Sequence, residues 1–351
     1  MGETLNVLVL GVGGNVSQGI LKSLALSNLN LRVVGACIHP FSLGLFTTDR
    51  AYISPRASDP AFVDWLIHIC RKERIRAVLS GVEQNLAMMS IHAKEILDGS
   101  GALCIVSPPE VLETGSDKLK TCQWLQKNGF NYPRYASVTD SEAVERLLKE
   151  CGFPLIAKPR NGRSAIGLME IKDESDLARA KQRPDYILEE CLGTDESEYT
   201  VGAFTSRDGR LCGVIAMRRE LREGTTYKAE IGEYPEVRAE ASRIVATLKP
   251  MGPSNVQMRM SGDRAVCFEI NLRFSGTAPI RARCGWNDVE ASLRHYVLGE
   301  PAKEMPNVTQ GIAIRYWNEM YIDPNAVKEL KEIGSLGNPG EFNVRVENYG
   351  E

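Results

Sequence analysis

No two cysteines in this chain stand at C-x-x-C spacing, and the nine present, at 37, 70, 104, 122, 151, 191, 212, 267 and 284, are odd in number and far apart. That spread argues against a disulfide framework or a thiolate zinc site and for reduced thiols, so a cytoplasmic protein is expected. Histidine is scarce: four residues, at 39, 68, 92 and 295. General-base histidine chemistry has little support, and no Ser/His/Asp or Cys/His set is legible. No apolar run approaches the roughly 18–20 residues that cross a bilayer, so no membrane segment is expected. The opening residues lead from Glu3 into a strand-sized run and do not read as a signal peptide. An excess of one charge is lacking too, with 42 Lys and Arg against 45 Asp and Glu and a net charge of −3. Without a basic stripe, nucleic acid is not an expected partner.

What is present is the composition of a globular protein, 351 residues with 43% hydrophobic and 25% charged, long enough for two or three domains. Residues 5–10 form a continuous apolar run broken by Gly11-Val12-Gly13-Gly14, after which Val16, Ile20 and Leu24 recur at helical spacing. Further strand-like runs at 32–38, 77–80 and 102–106, with a helical stretch at 61–72, predict a parallel α/β sheet. Pro108-Pro109 marks a boundary near 107–115. Helices are expected over 118–128 and 142–151, the second ended by Gly152, followed by a strand over 153–158. Two hairpins are expected beyond them. One joins 199–205 to 211–217 through Asp208-Gly209, and the other joins 256–260 to 265–270 through Gly262-Asp263. The predicted division is an α/β domain over 1–112, an α+β domain over 113–300 split near 185–186, and an α+β extension over 301–351.

Several of these elements carry chemistry. Gly11-x-Gly13-Gly14 with Gly19 resembles a dinucleotide fingerprint, but no acid ends the second strand, so a structural turn or a substrate-facing edge is expected rather than NAD. Lys158 closes an apolar strand and is followed by a loop bearing Gly162, Ser164 and Gly167, an arrangement able to set an ammonium and backbone amides on a polyphosphate. Either feature alone would equally suit a solvated strand cap. Glu189-Glu190 ends another strand and Glu198 follows; they read as acceptors for an adenine amino group and a ribose hydroxyl, or as an acidic, solvent-facing strand end. Glu269 and Asn271 share one face of a strand by period two, and Gln257 can oppose them across the hairpin. Three oxygen-bearing side chains beside a phosphate are what magnesium requires. Arg273, two residues on, adds a fork for an anionic phosphate or transition state.

The order Lys118, Lys158 with its loop, Glu189-Glu190, Glu198, Gln257 and Glu269-x-Asn271-x-Arg273 resembles the ATP-grasp superfamily over residues 110–300. Residues 1–106 are similar to that family's Rossmann-like pre-ATP-grasp domain, and the segment 255–276 most resembles one synthetase unit of the carbamoyl-phosphate synthase large subunit. The resemblance implies a nucleotide between two α+β subdomains, with Lys118, Lys158 and the Gly162–Gly167 loop on its phosphates. Adenine would lie at 189–192, where Glu189, Glu190 and Leu192 offer backbone groups and a carboxylate, and Glu198 would hold the ribose. Gln257, Glu269 and Asn271 would carry magnesium, with manganese as its substitute. Arg273 would steady the transferred phosphoryl group. Lys228, in the loop 224–228, is a further phosphate candidate. Where the family loop often reads Gly-x-Gly-Ser-x-Gly, this chain has Ser164 and Ala165 in place of Gly and Ser.

The implied activity is an ADP-forming carboxylate–amine ligase working through an acyl phosphate, on small-molecule carboxylate and amine substrates, with a homodimer as an allowed assembly. The alternatives are phosphorylation of bicarbonate or carbamate, and a non-catalytic ATP-binding regulator. A single unrepeated copy of the motifs argues against a complete carbamoyl-phosphate synthase large subunit. Candidate substrate walls are the Gly11 loop, Ser80-Gly81-Val82-Glu83, Arg281 and Arg283.

Overall fold

The computed structural model describes residues 3–162 and 166–347. The N-terminal sheet is built from β1 (Leu5–Leu10), β2 (Leu31–Cys37), β3 (Arg50–Ile53), β4 (Ala77–Ser80) and β5 (Leu103–Cys104), all parallel and ordered β3-β2-β1-β4-β5. Its strands read as unbroken apolar runs because both faces are covered. Val7 and Val9 pack into a core with Ile20 and Leu24 of α1 (Asn15–Ala25), whereas Leu8 and Leu10 pack against Phe62 and Leu66 of α2 (Phe62–Lys72). The run expected at 102–106 is shorter. Ile105 still donates to Val78 O, but Val106 donates back to Cys104 O, and the chain turns toward the prolines. Between β4 and β5 lie α3 (Glu83–Ile91) and α4 (Ala93–Ser100), and α5 (Pro109–Ser116) leads out of the domain.

Strand order reverses at β1, so the C-terminal ends of β1 and β4 open a crevice where ligands of such sheets bind. Gly11 turns the chain there at φ +69°. A Cβ on it would stand 2.4 Å from Val82 Cγ2, a distance no larger residue tolerates.

A four-stranded antiparallel sheet follows, made of β6 (Tyr135–Ser137), β7 (Leu155–Pro159), β8 (Met169–Ile171) and β9 (Tyr186–Glu190) in the order β6-β9-β7-β8. Its helices start where the sequence provides caps: α6 (Lys118–Lys127) behind Asp117, α7 (Ser141–Cys151) behind Asp140 and α8 (Glu174–Lys181) behind Asp173, each carboxylate accepting from a first-turn N–H. Val144, Leu147, Leu155, Leu177 and Leu188 form the core of this unit.

The largest sheet comprises β10 (Glu198–Thr205), β11 (Leu211–Arg222), β12 (Thr225–Ile231), β13 (Gly252–Ser261) and β14 (Arg264–Asn271), ordered β14-β13-β10-β11-β12 and antiparallel throughout. Helix α9 (Pro235–Leu248) covers one face through Val237, Ile244 and Val245 on Val201, Ala203 and Val256. Both expected hairpins form, with Gly209 at φ +82° and Gly262 at φ +59°. β11 extends to Arg222, past its expected end at 217, because it pairs with β12. Beyond β14 come α10 (Ala278–Arg283) and α11 (Asp288–Ser292).

After residue 300 the chain adds β15 (Gly311–Ile314) to the large sheet beside β12, then β16 (Met320–Ile322) and α12 (Pro324–Ile333). It next adds β17 (Ser335–Leu336), antiparallel, to β3 of the N-terminal sheet, and pairs β18 (Val344–Val346) with β16. This last segment therefore contributes edge strands to both large sheets. Among the described residues no helix is long and apolar enough to cross a membrane.

Candidate active site

A cleft of about 560 Å³ opens between the four-stranded sheet and the large sheet, and its walls bring together most of the residues singled out by sequence. On one wall, Lys158 of β7 reaches Glu189 Oε2 at 2.6 Å and donates to Phe268 O at 3.4 Å. Burial alone would lower the lysine pKa, but the Glu189 charge overrides it and holds the pKa above the ordinary value, so Lys158 stays cationic. Lys118 opens α6, and its Nζ donates to Gly162 O at 3.1 Å. The start of that helix is tied to the loop after β7. Asp117 caps α6 and pairs with Arg160 at 2.6 Å, while Lys118 N donates to Arg160 O. Gly162 adopts φ +148° and Gly167 φ +80°. Ser164 lies outside the described residues.

The opposite wall is the β13–β14 hairpin, in which Gln257 faces Glu269 and Asn255 faces Asn271, with a bulge between Gln257 and Met258. Gln257 Nε2 and Asn271 Nδ2 both donate to Glu269 Oε1, at 3.0 and 2.7 Å. With the amide nitrogens spent on the carboxylate, the amide oxygens are the hard donors, although the Gln257 oxygen also accepts from Arg219 Nη2 at 2.7 Å. Burial would raise the Glu269 pKa, yet Lys118, the Asn271 hydrogen bond, Lys158 and Arg273 together hold it below the ordinary value, so it stays ionised. Among the described residues no three His, Cys, Asp or Glu side chains converge to hold a metal alone. One carboxylate and two amide oxygens fit a magnesium ion that completes its shell with phosphate oxygens and water.

Arg273 follows β14. Its Nη1 donates to Phe274 O at 3.0 Å, its Nη2 lies 3.6 Å from Glu83 Oε1 at the start of α3, and its Nε has no hydrogen-bond partner among the described residues. Arg273 thus joins the metal-type cluster to the crevice of the N-terminal sheet.

Other expected residues stand differently. Glu189 is engaged by Lys158 and accepts from Cys122 Sγ at 3.6 Å, and Glu190 Oε1 accepts from Arg134 N at 2.9 Å. Protein donors thus occupy the two carboxylates assigned to adenine, because β9 lies between β6 and β7 and both neighbours offer cations or N–H groups. Leu192 is buried and its carbonyl accepts from Arg259 Nη1 at 3.2 Å. Lys228 is not in a loop: it sits in β12 opposite Glu220 and Ile314, exposed and off the cleft. Arg281 is fully buried, 3.4 Å from the equally buried Asp288, and so is no substrate wall. Arg283 is exposed at the end of α10.

Two arginines escaped the sequence reading. Arg219 of β11 donates to Glu198 Oε1 through Nε at 3.0 Å and Nη2 at 2.7 Å, and to Gln257 Oε1 at 2.7 Å. Arg259 of β13 takes Glu198 Oε2 at 3.0 and 2.7 Å. Neither lies in a motif; the only available signal was alternation, which puts Arg219 on the same face of β11 as Met217, the partner of Thr200.

A family model described as "ATP-grasp in the biosynthetic pathway with Ter operon" matches residues 182–320, which hold Glu198, Gln257, Glu269, Asn271 and Arg273. Over that segment the chain is similar to ATP-grasp proteins. A second model, "PylC-like, N-terminal domain", matches residues 7–101. The carbamoyl phosphate synthase large chain of Pseudomonas putida is 22% identical over 95% of this chain, which spans 34% of that relative's length. The ATP-grasp fold is shared with N5-carboxyaminoimidazole ribonucleotide synthetase of Thermus thermophilus (TM-score 0.65, 19% identity, 90% of this chain and 82% of that one). It is shared too with the biotin carboxylase domain dimer of Hydrogenobacter thermophilus 2-oxoglutarate carboxylase in complex with MgADP, ADP and bicarbonate (TM-score 0.66, 16% identity, 90% and 73%).

Proposed function

We propose that this ATP-grasp enzyme is a magnesium-dependent ligase that phosphorylates a carboxylate with ATP and passes the acyl group to an amine, releasing ADP and phosphate. The observation that carries this reading is the meeting, in one cleft, of Lys118 and Lys158 with Gln257 and Glu269, whose carboxylate also accepts from Asn271 and feels the charge of Arg273.

A carboxylate resists attack by an amine because oxide is a poor leaving group, and phosphorylation replaces it with phosphate. Electrostatic stabilisation dominates such phosphoryl transfer. Lys118 and Lys158 bind the polyphosphate and Arg273 takes up charge on the transferred group. Ile156, Ile166 and Leu168 line the cleft and offer the base an apolar surface. Magnesium, with manganese as its substitute, would be held by Gln257, Glu269 and Asn271 and would supply charge neutralisation on the phosphates. The nine thiols are all unpaired, which supports a cytoplasmic location. The dimer named for the biotin carboxylase domain supports a homodimer.

A second reading, in which bicarbonate is the carboxylate, draws support from the carbamoyl phosphate synthase relative and from the bicarbonate complex among the fold neighbours. ADP release dependent on bicarbonate alone would select it, and release dependent on an organic acid would select the first. For either, hydroxylamine should trap a hydroxamate, and carboxyl oxygen-18 should appear in the released phosphate. AMP and pyrophosphate as products would overturn the acyl-phosphate mechanism.

A further inference from the structure

Glu198 sits between two guanidinium groups, and one of them is more than its charge requires. Arg259 alone satisfies Glu198 Oε2 with two hydrogen bonds and anchors itself on Leu192 O. Arg219 approaches the other oxygen from the far side. Its side chain crosses β10 to reach from Glu198 to Gln257, because β10 lies between β11 and β13 in the sheet. At 9% exposure this side chain is held in place, and it lines the same cleft as Lys118 and Lys158. Its Nη1 has no hydrogen-bond partner among the described residues. One carboxylate serves two guanidinium groups here, so Arg219 keeps a donor free for an anion that enters the cleft.

We propose that Arg219 is a nucleotide-phosphate contact, carrying positive charge along the cleft from the ribose end marked by Glu198 to the metal end marked by Gln257. The inference rests on the ATP reading above. An arginine fork suits this position because two of its nitrogens can stay on protein oxygens while the third meets a phosphate oxygen. The four N–H bonds from Arg219 and Arg259 fill the roughly four acceptor sites of the Glu198 carboxylate, so a ribose hydroxyl would have to displace one of them.

Ligand truncation separates this role from simple orientation of Glu198. Adenosine, ADP and ATP are titrated calorimetrically, adenosine by displacement of ADP, into the unaltered chain, Arg219→Gln and Arg219→Lys, each with and without magnesium. Glutamine keeps an amide donor toward Glu198 but removes the charge. The expected result is a loss of roughly tenfold or more in ADP and ATP affinity for Arg219→Gln, with adenosine changed less than about twofold. Arg219→Lys, which keeps a cation without the fork, should recover part of that loss. Equal losses for adenosine and ATP would show that Arg219 acts only through Glu198, and unchanged ATP affinity would show no phosphate contact; either overturns the inference. Failure of the unaltered chain to bind any of the three would instead refute the ATP reading, and this inference with it. Should Arg219→Gln not fold, as judged by its melting transition, the same comparison on Arg219→Lys decides, with selective loss of ADP and ATP expected.

Discussion

The ammonium of Lys158 and the carboxylate of Glu189 meet at 2.6 Å in the wall of the cleft, with side chains 10% and 5% exposed. The two belong to adjacent antiparallel strands, where Lys158 stands opposite Ile187, two residues before Glu189. A buried pair of this kind keeps the lysine charged and aimed, but it makes each partner dependent on the other.

Lys158→Ala is therefore expected to act twice. It removes a phosphate contact, weakening ATP binding by roughly tenfold or more, and it strands Glu189, costing about 3–5 kcal/mol of stability. Combining Lys158→Met with Glu189→Leu should regain most of the stability and none of the affinity. Urea unfolding and calorimetry read the two effects separately; a double variant no more stable than Lys158→Ala would mean that the stranded charge is not the cause.

Arg273→Ala should mainly lower turnover. Its unpartnered Nε and its place beyond the Gln257/Glu269/Asn271 cluster suit a group whose bonds tighten as phosphoryl charge moves. A fall of roughly 10²–10³ in kcat for ADP release, with the KM for ATP nearly unchanged, is expected. A change confined to the KM would assign Arg273 to ground-state binding.

Asp117 links acid stability to the architecture of the site. Burial works to raise its pKa, but Arg160 and the N–H groups of Leu119 and Lys120 outweigh it and hold the carboxyl below its ordinary value of 3.8. A carboxyl with a lower pKa folded than unfolded stabilises the fold above the unfolded value, and this contribution disappears as pH falls through the lower folded value. Unfolding free energy should thus decline below about pH 4, and Asp117→Asn should flatten that decline. An unchanged acid limb in the variant would show that the pair with Arg160 contributes nothing to it.

Gly202 on β10 lies directly under Arg281. A Cβ there would stand 1.5 Å from Arg281 Nη1, and that guanidinium is fully buried against Trp286 and Asp288 with no way to retreat. Gly202→Ala should destabilise by about 1–3 kcal/mol or more, whereas Gly337→Ala, with nothing within 4 Å of its Cβ, should be close to neutral. Similar melting temperatures for the two variants would contradict the packing of α10 on β10.

What could be read directly from the chain was whatever is local. The unbroken run 5–10 and its glycine turn, the helices expected over 118–128 and 142–151, and the two Gly/Asp hairpins became elements close to their expected places, since each depends on neighbouring residues. The Gln257/Glu269/Asn271 cluster was legible for the same reason: a short turn joins its two strands, and period two sets the face. Lys228 was misplaced because the hairpin of β11 and β12 is longer than its composition suggests, and edge pairing with β15, more than eighty residues on in sequence, helps hold it as a strand.

Lys118, Lys158, Glu189 and Glu198 were identifiable as residues, but not what each of them touches. Their partners come from strand order: β9 beside β7 puts Glu189 on Lys158, and β10 between β11 and β13 lets Arg219 bridge Glu198 and Gln257. Arg281, a plausible anion grip in sequence, became a buried structural charge because α10 packs onto β10 at a glycine. The sequence by itself determined many of the elements and the hairpin cluster, because local spacing specifies them. Only the tertiary structure decided which charges pair and which face the cleft, because that depends on the register of strands distant in sequence.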